Sequence, residues 1–178
     1  MIYFDNNSTT RVFESTVDAM RPFLTERFAN PASAIAQFSG ITQTIQSEKS
    51  RLSKALGAES GSQFVVTSGA TESNNLALLG AALANRQKRN IVISAIEHPS
   101  VMEVCEILRA EGHRIITLPI TPDGIVNEQA LVSALSAETL LVSVMMANNE
   151  TGVMQPLKAL SAAVKRYDPS ILFHTDAT

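Results

Sequence analysis

The sequence predicts an α/β fold, a three-layer α/β/α arrangement with helices on both faces of a mostly parallel sheet. Three observations predict it. Short apolar, β-branched runs alternate along the chain with stretches of helical period, and this alternation calls for crossover connections between parallel strands. The apolar runs are short and nearly continuous, as strands covered on both faces are. The 178 residues, 45% of them hydrophobic, supply one complete core and not comfortably two domains.

Each element follows from its residues. Ile2 to Phe4 is a short strand candidate, and the polar run Asp5 to Thr10 is a turn or loop. Glu14 to Arg27 has helical period, with Val17, Met20 and Leu24 on one face. Asn30-Pro31 interrupts it, because the residue before proline avoids helical angles. Ile41, Ile45, Leu52 and Leu56 mark a second helix, closed by Gly57. Phe64 to Thr67 reads as a buried strand, Ser68-Gly69 breaks it, and a helix begins near Thr71 with Leu76, Leu79, Gly80 and Leu83 on its apolar face. Thr71 or Ser68 is the expected cap of that helix.

Ile91 to Ile93 is the next buried strand, and Pro99 suits the first turn of the helix that follows. That helix places Val101, Val104, Cys105 and Leu108 inward, so Cys105 reads as a small buried hydrophobe. Arg114 to Pro119 is a strand, Pro122-Asp123-Gly124 a turn, and Glu128 to Leu135 a helix. Leu140 to Met145 is a strand, Pro156 to Arg166 a helix with Leu157, Leu160 and Val164 inward, and Ile171 to Phe173 the last strand.

Composition narrows the function. A formal charge of −3 without a basic tract argues against nucleic acid as a partner. No apolar run approaches the roughly 20 residues that span a bilayer, and Met1 to Asp5 has neither a basic segment nor a signal-like apolar core. A single cysteine excludes an internal disulfide framework and a cysteine-based zinc site, and no other metal-ligand cluster stands out. The expectation is a soluble, cytoplasmic protein with no membrane or nucleic-acid partner.

Polar residues recur at the carboxyl ends of the expected strands: Ser68 to Ser73, then His98, Asn149 and Asp176. Ligands of open α/β sheets bind at those ends. The tight turn before Thr71 exposes helical N–H groups at the positive end of a helix dipole, a pocket suited to phosphate. It matches neither standard nucleotide loop. A phosphate cradle, an imidazole, an amide and a carboxylate together are the set that pyridoxal phosphate uses. Its pyridine nitrogen needs a carboxylate, its phenolic oxygen an amide donor, and its ring face an aromatic group. Each residue has a plain structural use as well: Asp176 and His98 as caps, Asn149 as a turn former. Singly that use is the better reading; jointly, at successive strand ends, the cofactor is.

The chain also resembles the cysteine desulfurase branch of the class V aminotransferases, within the fold-type I pyridoxal phosphate enzymes. Tyr3 to Thr10, Asn30-Pro31-Ala32-Ser33, Thr67-Ser68-Gly69-Ala70-Thr71-Glu72-Ser73-Asn74, Glu97-His98, Asn148 to Val153 and His174 to Thr178 follow that family's motifs in order. The resemblance implies that Ala70 and Thr71 hold the cofactor phosphate and that His98 stacks on the ring and assists proton transfer as the catalytic residue. It implies that Asn149 bonds the phenolic oxygen and lies near the substrate carboxylate, and that Asp176 pairs with the pyridine nitrogen. The implied substrate is L-cysteine, converted to alanine and a persulfide for iron–sulfur cluster assembly or other sulfur transfer. The implied partners are a second copy in a homodimer and a sulfur-acceptor or scaffold protein.

Two departures stand out. The family carries a histidine a few residues after its Asn-Pro-x-Ser loop, where this chain reads Ala34-Ile35-Ala36-Gln37-Phe38. The family also continues past the segment matching Thr178 with a glutamine, the Schiff-base lysine motif, a small domain, a carboxylate-binding arginine and the sulfur-accepting cysteine. The expectation is therefore that residues 1–178 form the N-terminal part of the cofactor-binding large domain and are inactive alone. They would be completed by a C-terminal part, in the same chain or as a complementing one. The competing expectations are a non-catalytic scaffold or regulatory chain, a phosphate-binding module, and another class V enzyme such as a selenocysteine lyase.

Overall fold

The computed structural model describes residues 2–58 and 64–178. The chain divides into two compact units, Met1–Val66 and Thr67–Thr178.

The first unit is helical: α1 (Glu14–Thr25), α2 (Ala36–Ser39) and α3 (Ile41–Ala55). Gly57, at φ 69°, closes α3 as its position predicts. Few side chains are buried here. Val17, Met20 and Leu24 share one stripe of α1 and are all exposed, as are Leu52 and Leu56, while Ile41 is buried. The expected strand at Ile2 to Phe4 does not form, and all three residues are exposed. Phe64 to Thr67 is not a strand either, and Val65 and Val66 face solvent. An apolar β-branched run becomes a strand only where a neighbour takes its N–H and C=O groups, and no described strand does.

The second unit holds the sheet. Its elements are α4 (Ala70–Ala84), β1 (Asn90–Ser94), α5 (Pro99–Ala110), β2 (Arg114–Leu118), α6 (Glu128–Ala134), β3 (Thr139–Ser143), α7 (Leu157–Tyr167) and β4 (Leu172–His174). The strands lie in the order β2-β1-β3-β4, all parallel. The pleat sends alternate side chains to opposite faces. Ile91 and Ile93 pack with Leu78 and Ala82 of α4 and Val101, Val104, Cys105 and Leu108 of α5. Val92 and Val142 pack on the other face with Leu131, Leu160 and Val164 of α6 and α7. The expected three layers are therefore present in this unit. A register shift between Asn90 and Ile91 skips Leu140, which is why Leu140 and Leu141 both fall in the α4–α5 layer.

The buried face of α4 differs from expectation. Leu76 and Leu83 are exposed, and Asn74, Leu78 and Ala82, spaced four apart, point inward. Residues 76–84 are almost all Ala or Leu, so their periodicity selects no single face, and packing against β1 and α5 does. The turn before α6 is as predicted. Gly124 has φ 78°, and a Cβ there would meet the Val153 side chain at 3.2 Å, so both conformation and space require glycine.

Candidate functional site

β1 connects outward to β2, and the chain then returns to the other side of β1 to form β3. Their connections run to helices on opposite layers, the arrangement in which a ligand crevice is expected at the carboxyl ends of β1 and β3. Glu97 spans it. Its Oε1 accepts the Met145 N–H at 2.8 Å and the Ser94 hydroxyl, and its Oε2 accepts the Ser143 hydroxyl at 3.1 Å. Burial pushes its pKa above the ordinary carboxylate value; those three hydrogen bonds oppose the shift and the Asp176 charge adds to it. Since Ser143 gives its proton to Glu97, its oxygen accepts from Nδ1 of His174 at 2.9 Å. Burial lowers the His174 pKa, against the pull of Asp176.

The turn expected from the sequence to cradle an anion lies at the start of α4. Its N-cap is Gly69, in extended backbone and with no side-chain cap, so neither Thr71 nor Ser68 is the cap the sequence suggested. The physical reason is Glu72. Its Oε2 accepts both the N–H and the hydroxyl of Ser68 at 2.6 Å, pulling Ser68 out of the capping position and lowering the Glu72 pKa. The first intrahelical bond runs from Ser73 N–H to Gly69 C=O. The amides of Ala70 and Thr71 therefore have no intrahelical acceptor. Thr71 is exposed, its hydroxyl unbonded among the described residues, and the space beside Gly69 is open.

One turn further along α4, buried Asn74 joins three segments. Its amide nitrogen donates to Asp176 Oδ2 at 2.8 Å and to Ser100 Oγ at 2.9 Å. Ser100 in turn sits 2.8 Å from Nδ1 of His98, and the Ser100 N–H donates to the same nitrogen at 3.2 Å. His98 is the N-cap of α5, so its structural use is real, and its ring is nonetheless exposed. Thr178 N–H donates to Asp176 Oδ1 at 3.1 Å. Burial works to raise the Asp176 pKa, but the Asn74 and Thr178 hydrogen bonds and the His98 charge outweigh it and hold the carboxyl below its ordinary value.

Asn74 of α4, Ser100, His98 and Asp176 thus form one hydrogen-bonded chain, and Ala70 and Thr71 lie about one turn before Asn74 on the same helix. Asn149 is not part of it. It sits on the exposed turn beyond β3, where Asn148 Oδ1 accepts the N–H groups of Glu150 and Thr151, and its side chain makes no hydrogen bond among the described residues. Three residues of the site carried no role in the sequence reading: Asn74, Ser100 and Glu97. Their signal was position. Asn74 lies three residues after Thr71 at the head of an apolar helix, and Glu97 and Ser100 flank His98-Pro99. Among the described residues no cluster of three His, Cys, Asp or Glu could hold a metal, and no helix is long and apolar enough to cross a membrane.

The sequence matches the family Aminotransferase class-V over residues 2–178. It is 42% identical over 178 residues to the cysteine desulfurase IscS of Dictyoglomus turgidum, covering 99% of this chain and 44% of that protein. It is 37% identical over 176 residues to the cysteine desulfurase NifS of Azotobacter vinelandii, covering 43% of it. The chain thus spans less than half the length of these curated relatives. Among solved structures, a NifS-like protein superposes with a TM-score of 0.94 at 35% identity, over 99% of this chain and 48% of the other. SspA in complex with cysteine superposes with a TM-score of 0.90 at 32% identity, over 98% and 50%. With the parallel sheet, the crevice and the helix terminus already described, these likenesses place the chain in the class-V aminotransferase family.

Proposed function

We propose that this chain is the N-terminal part of the pyridoxal-phosphate-binding large domain of a cytoplasmic cysteine desulfurase. The reading is carried by one observation: Asn74, one turn into α4, hydrogen-bonds Asp176 and reaches His98 through Ser100. A free helix N-terminus, an exposed imidazole and a carboxylate thereby converge on one crevice. The residues fit the cofactor. Ala70 and Thr71 offer amides with no intrahelical acceptor and an exposed hydroxyl, unbonded among the described residues, for the phosphate. Asp176, with its pKa held low, stays ionised to pair with a protonated pyridine nitrogen. His98 offers an accessible ring face for stacking and an Nε2 free to hold or pass a proton. Asn149, on its exposed turn, is assigned the phenolic oxygen and the substrate carboxylate.

Pyridoxal phosphate, when bound, supplies an electron sink for bonds next to the amino group of an amino acid. L-cysteine is proposed as the substrate, with alanine and a persulfide for iron–sulfur assembly or other sulfur transfer as the products. A desulfurase also needs a lysine to tether the cofactor and a thiolate to accept sulfur. Cys105 does not supply the thiolate: it is buried, and burial, with the Glu97 and Glu106 charges, pushes its pKa up to about 12. Lys88 is engaged by Asp168 and Ser170, and Lys165 by backbone carbonyls near β4. Residues 1–178 are proposed to be inactive alone and to act with a C-terminal part and a second copy.

Titration with pyridoxal phosphate and with pyridoxal tests the reading. Tighter binding of the phosphate form is expected; equal affinity would remove the cradle assignment, and no binding of either would remove the cofactor. Cysteine with cofactor and the chain should release sulfide no faster than cofactor alone. Adding the C-terminal part of a relative should raise the rate.

A further inference from the structure

We propose that Asn74 is a positioning residue which, through Ser100, ties the carboxylate of Asp176 to the imidazole of His98 and sets the protonation pattern of both. The proposal rests on the cofactor reading only for its catalytic meaning; the hydrogen-bond logic stands on geometry.

Asn74 is 3% exposed, and an amide has two N–H donors on one nitrogen. That nitrogen faces the Asp176 carboxylate at 2.8 Å, which can only accept, so the amide orientation is determined. Its second N–H is spent on Ser100 Oγ at 2.9 Å. The Ser100 oxygen, acting as acceptor there, directs its own proton to Nδ1 of His98 at 2.8 Å. The Ser100 backbone N–H reaches the same nitrogen. Nδ1 thus receives two donors and must present its lone pair, so the neutral ring carries its proton on Nε2, away from the first turn of α5.

The device has a chemical consequence. The carboxylate assigned to the pyridine nitrogen and the imidazole assigned to the ring face would be aligned by one buried amide. Asn74 is a positioning residue because it touches neither the cofactor nor the substrate in this assignment. The titratable groups beside this cluster are Glu97 and His174, both of which feel the charge of Asp176. They belong to the neighbouring Ser143 network and make no bond to Asn74.

The test is nitrogen-15 NMR of the histidine rings and carbon-13 NMR of the aspartate carboxyls, on the cofactor-free chain. In the wild type, the neutral His98 ring is expected to show Nδ1 unprotonated and Nε2 protonated. Asn74→Ala should raise the Asp176 pKa, by removing a hydrogen bond to the charged form, and should let the Nδ1–H form of His98 appear. Ser100→Ala, which leaves α4 untouched, should change the His98 pattern and leave the Asp176 titration in place. A wild-type ring protonated on Nδ1 would overturn the proposal. So would an Asn74→Ala protein, folded by circular dichroism, with both readouts unchanged. Should Asn74→Ala fail to fold, Ser100→Ala decides: it removes one of the two donors to Nδ1, and an unchanged Nδ1 chemical shift overturns the proposal. Because these arms contain no cofactor, they are separate from the wild-type pyridoxal phosphate titration, whose failure would remove the cofactor reading alone. In a wild type that binds, Asn74→Ala should weaken pyridoxal phosphate by roughly tenfold, the loss of one charge-assisted bond supporting Asp176.

Discussion

Glu97 accepts the backbone N–H of Met145 at 2.8 Å, and this bond ties the segment after β1 to the segment after β3. The same carboxylate takes the hydroxyls of Ser94 and Ser143, so three donors from two strands depend on one buried side chain. Glu97→Ala would leave them without that acceptor. The expected loss is about 2–4 kcal/mol, from desolvated donors that no longer have a partner, measured by urea unfolding at constant slope.

Glu97 also gives a pH signature. Its pKa in the fold is raised above 4.5, so the folded protein holds this proton more tightly than the unfolded chain does. Its contribution is fully present below 4.5 and is lost as pH rises through the raised value. Glu97→Gln keeps the shape and removes the titration. The wild type should therefore lose stability relative to the variant as pH rises above 4.5; parallel stability curves through that rise would contradict the assignment.

Asp168 has the opposite sign. Hydrogen bonds from Lys88, at 2.9 Å, and from Ser170 lower its pKa from 3.8 to about 2. Its contribution to stability is present above 3.8 and disappears as pH falls through about 2. Lys88→Ala should move the Asp168 carboxyl titration upward, because the largest cause of its shift is removed. A carbon-13 titration reads this directly.

Cys105 is packed between α5 and β1 with no exposed surface. Ellman's reagent at pH 8 should react with it only after unfolding, and the rate should follow the unfolded fraction. Cys105→Ser should cost about 1–3 kcal/mol, since it places a hydroxyl in an apolar layer without a partner. Rapid labelling of the native protein would show the thiol to be more accessible than its packing allows.

Thr71→Val removes the free hydroxyl at the head of α4 and leaves the backbone amides. Pyridoxal phosphate affinity should fall by about 1 kcal/mol, or more if the bond to the phosphate is charge-assisted, while affinity for pyridoxal stays unchanged. Isothermal titration of both compounds distinguishes a phosphate contact from a general loss of fold.

By itself the sequence determined most of the second unit. The alternation of Ile91-Val92-Ile93, Leu140 to Met145 and their intervening helices is a local record of period and burial, and it specified a covered parallel sheet and the strand ends where His98 and Asp176 lie. Pro99 at the start of α5, Gly57 after α3 and Gly124 in its turn were legible for the same reason, because each meets a backbone requirement of its own residue. Tertiary structure decided what depends on partners distant in the chain. Val65 and Val66 have the composition of a strand and no described neighbour to pair with. The Ala/Leu run of α4 could turn any side inward until β1 and α5 selected Leu78 and Ala82. Asn74 and Asp176, 102 positions apart, meet only because strand order brings the end of β4 beside α4. A hydrogen bond between groups so far apart leaves no periodic trace in either segment, so only the folded chain reveals it.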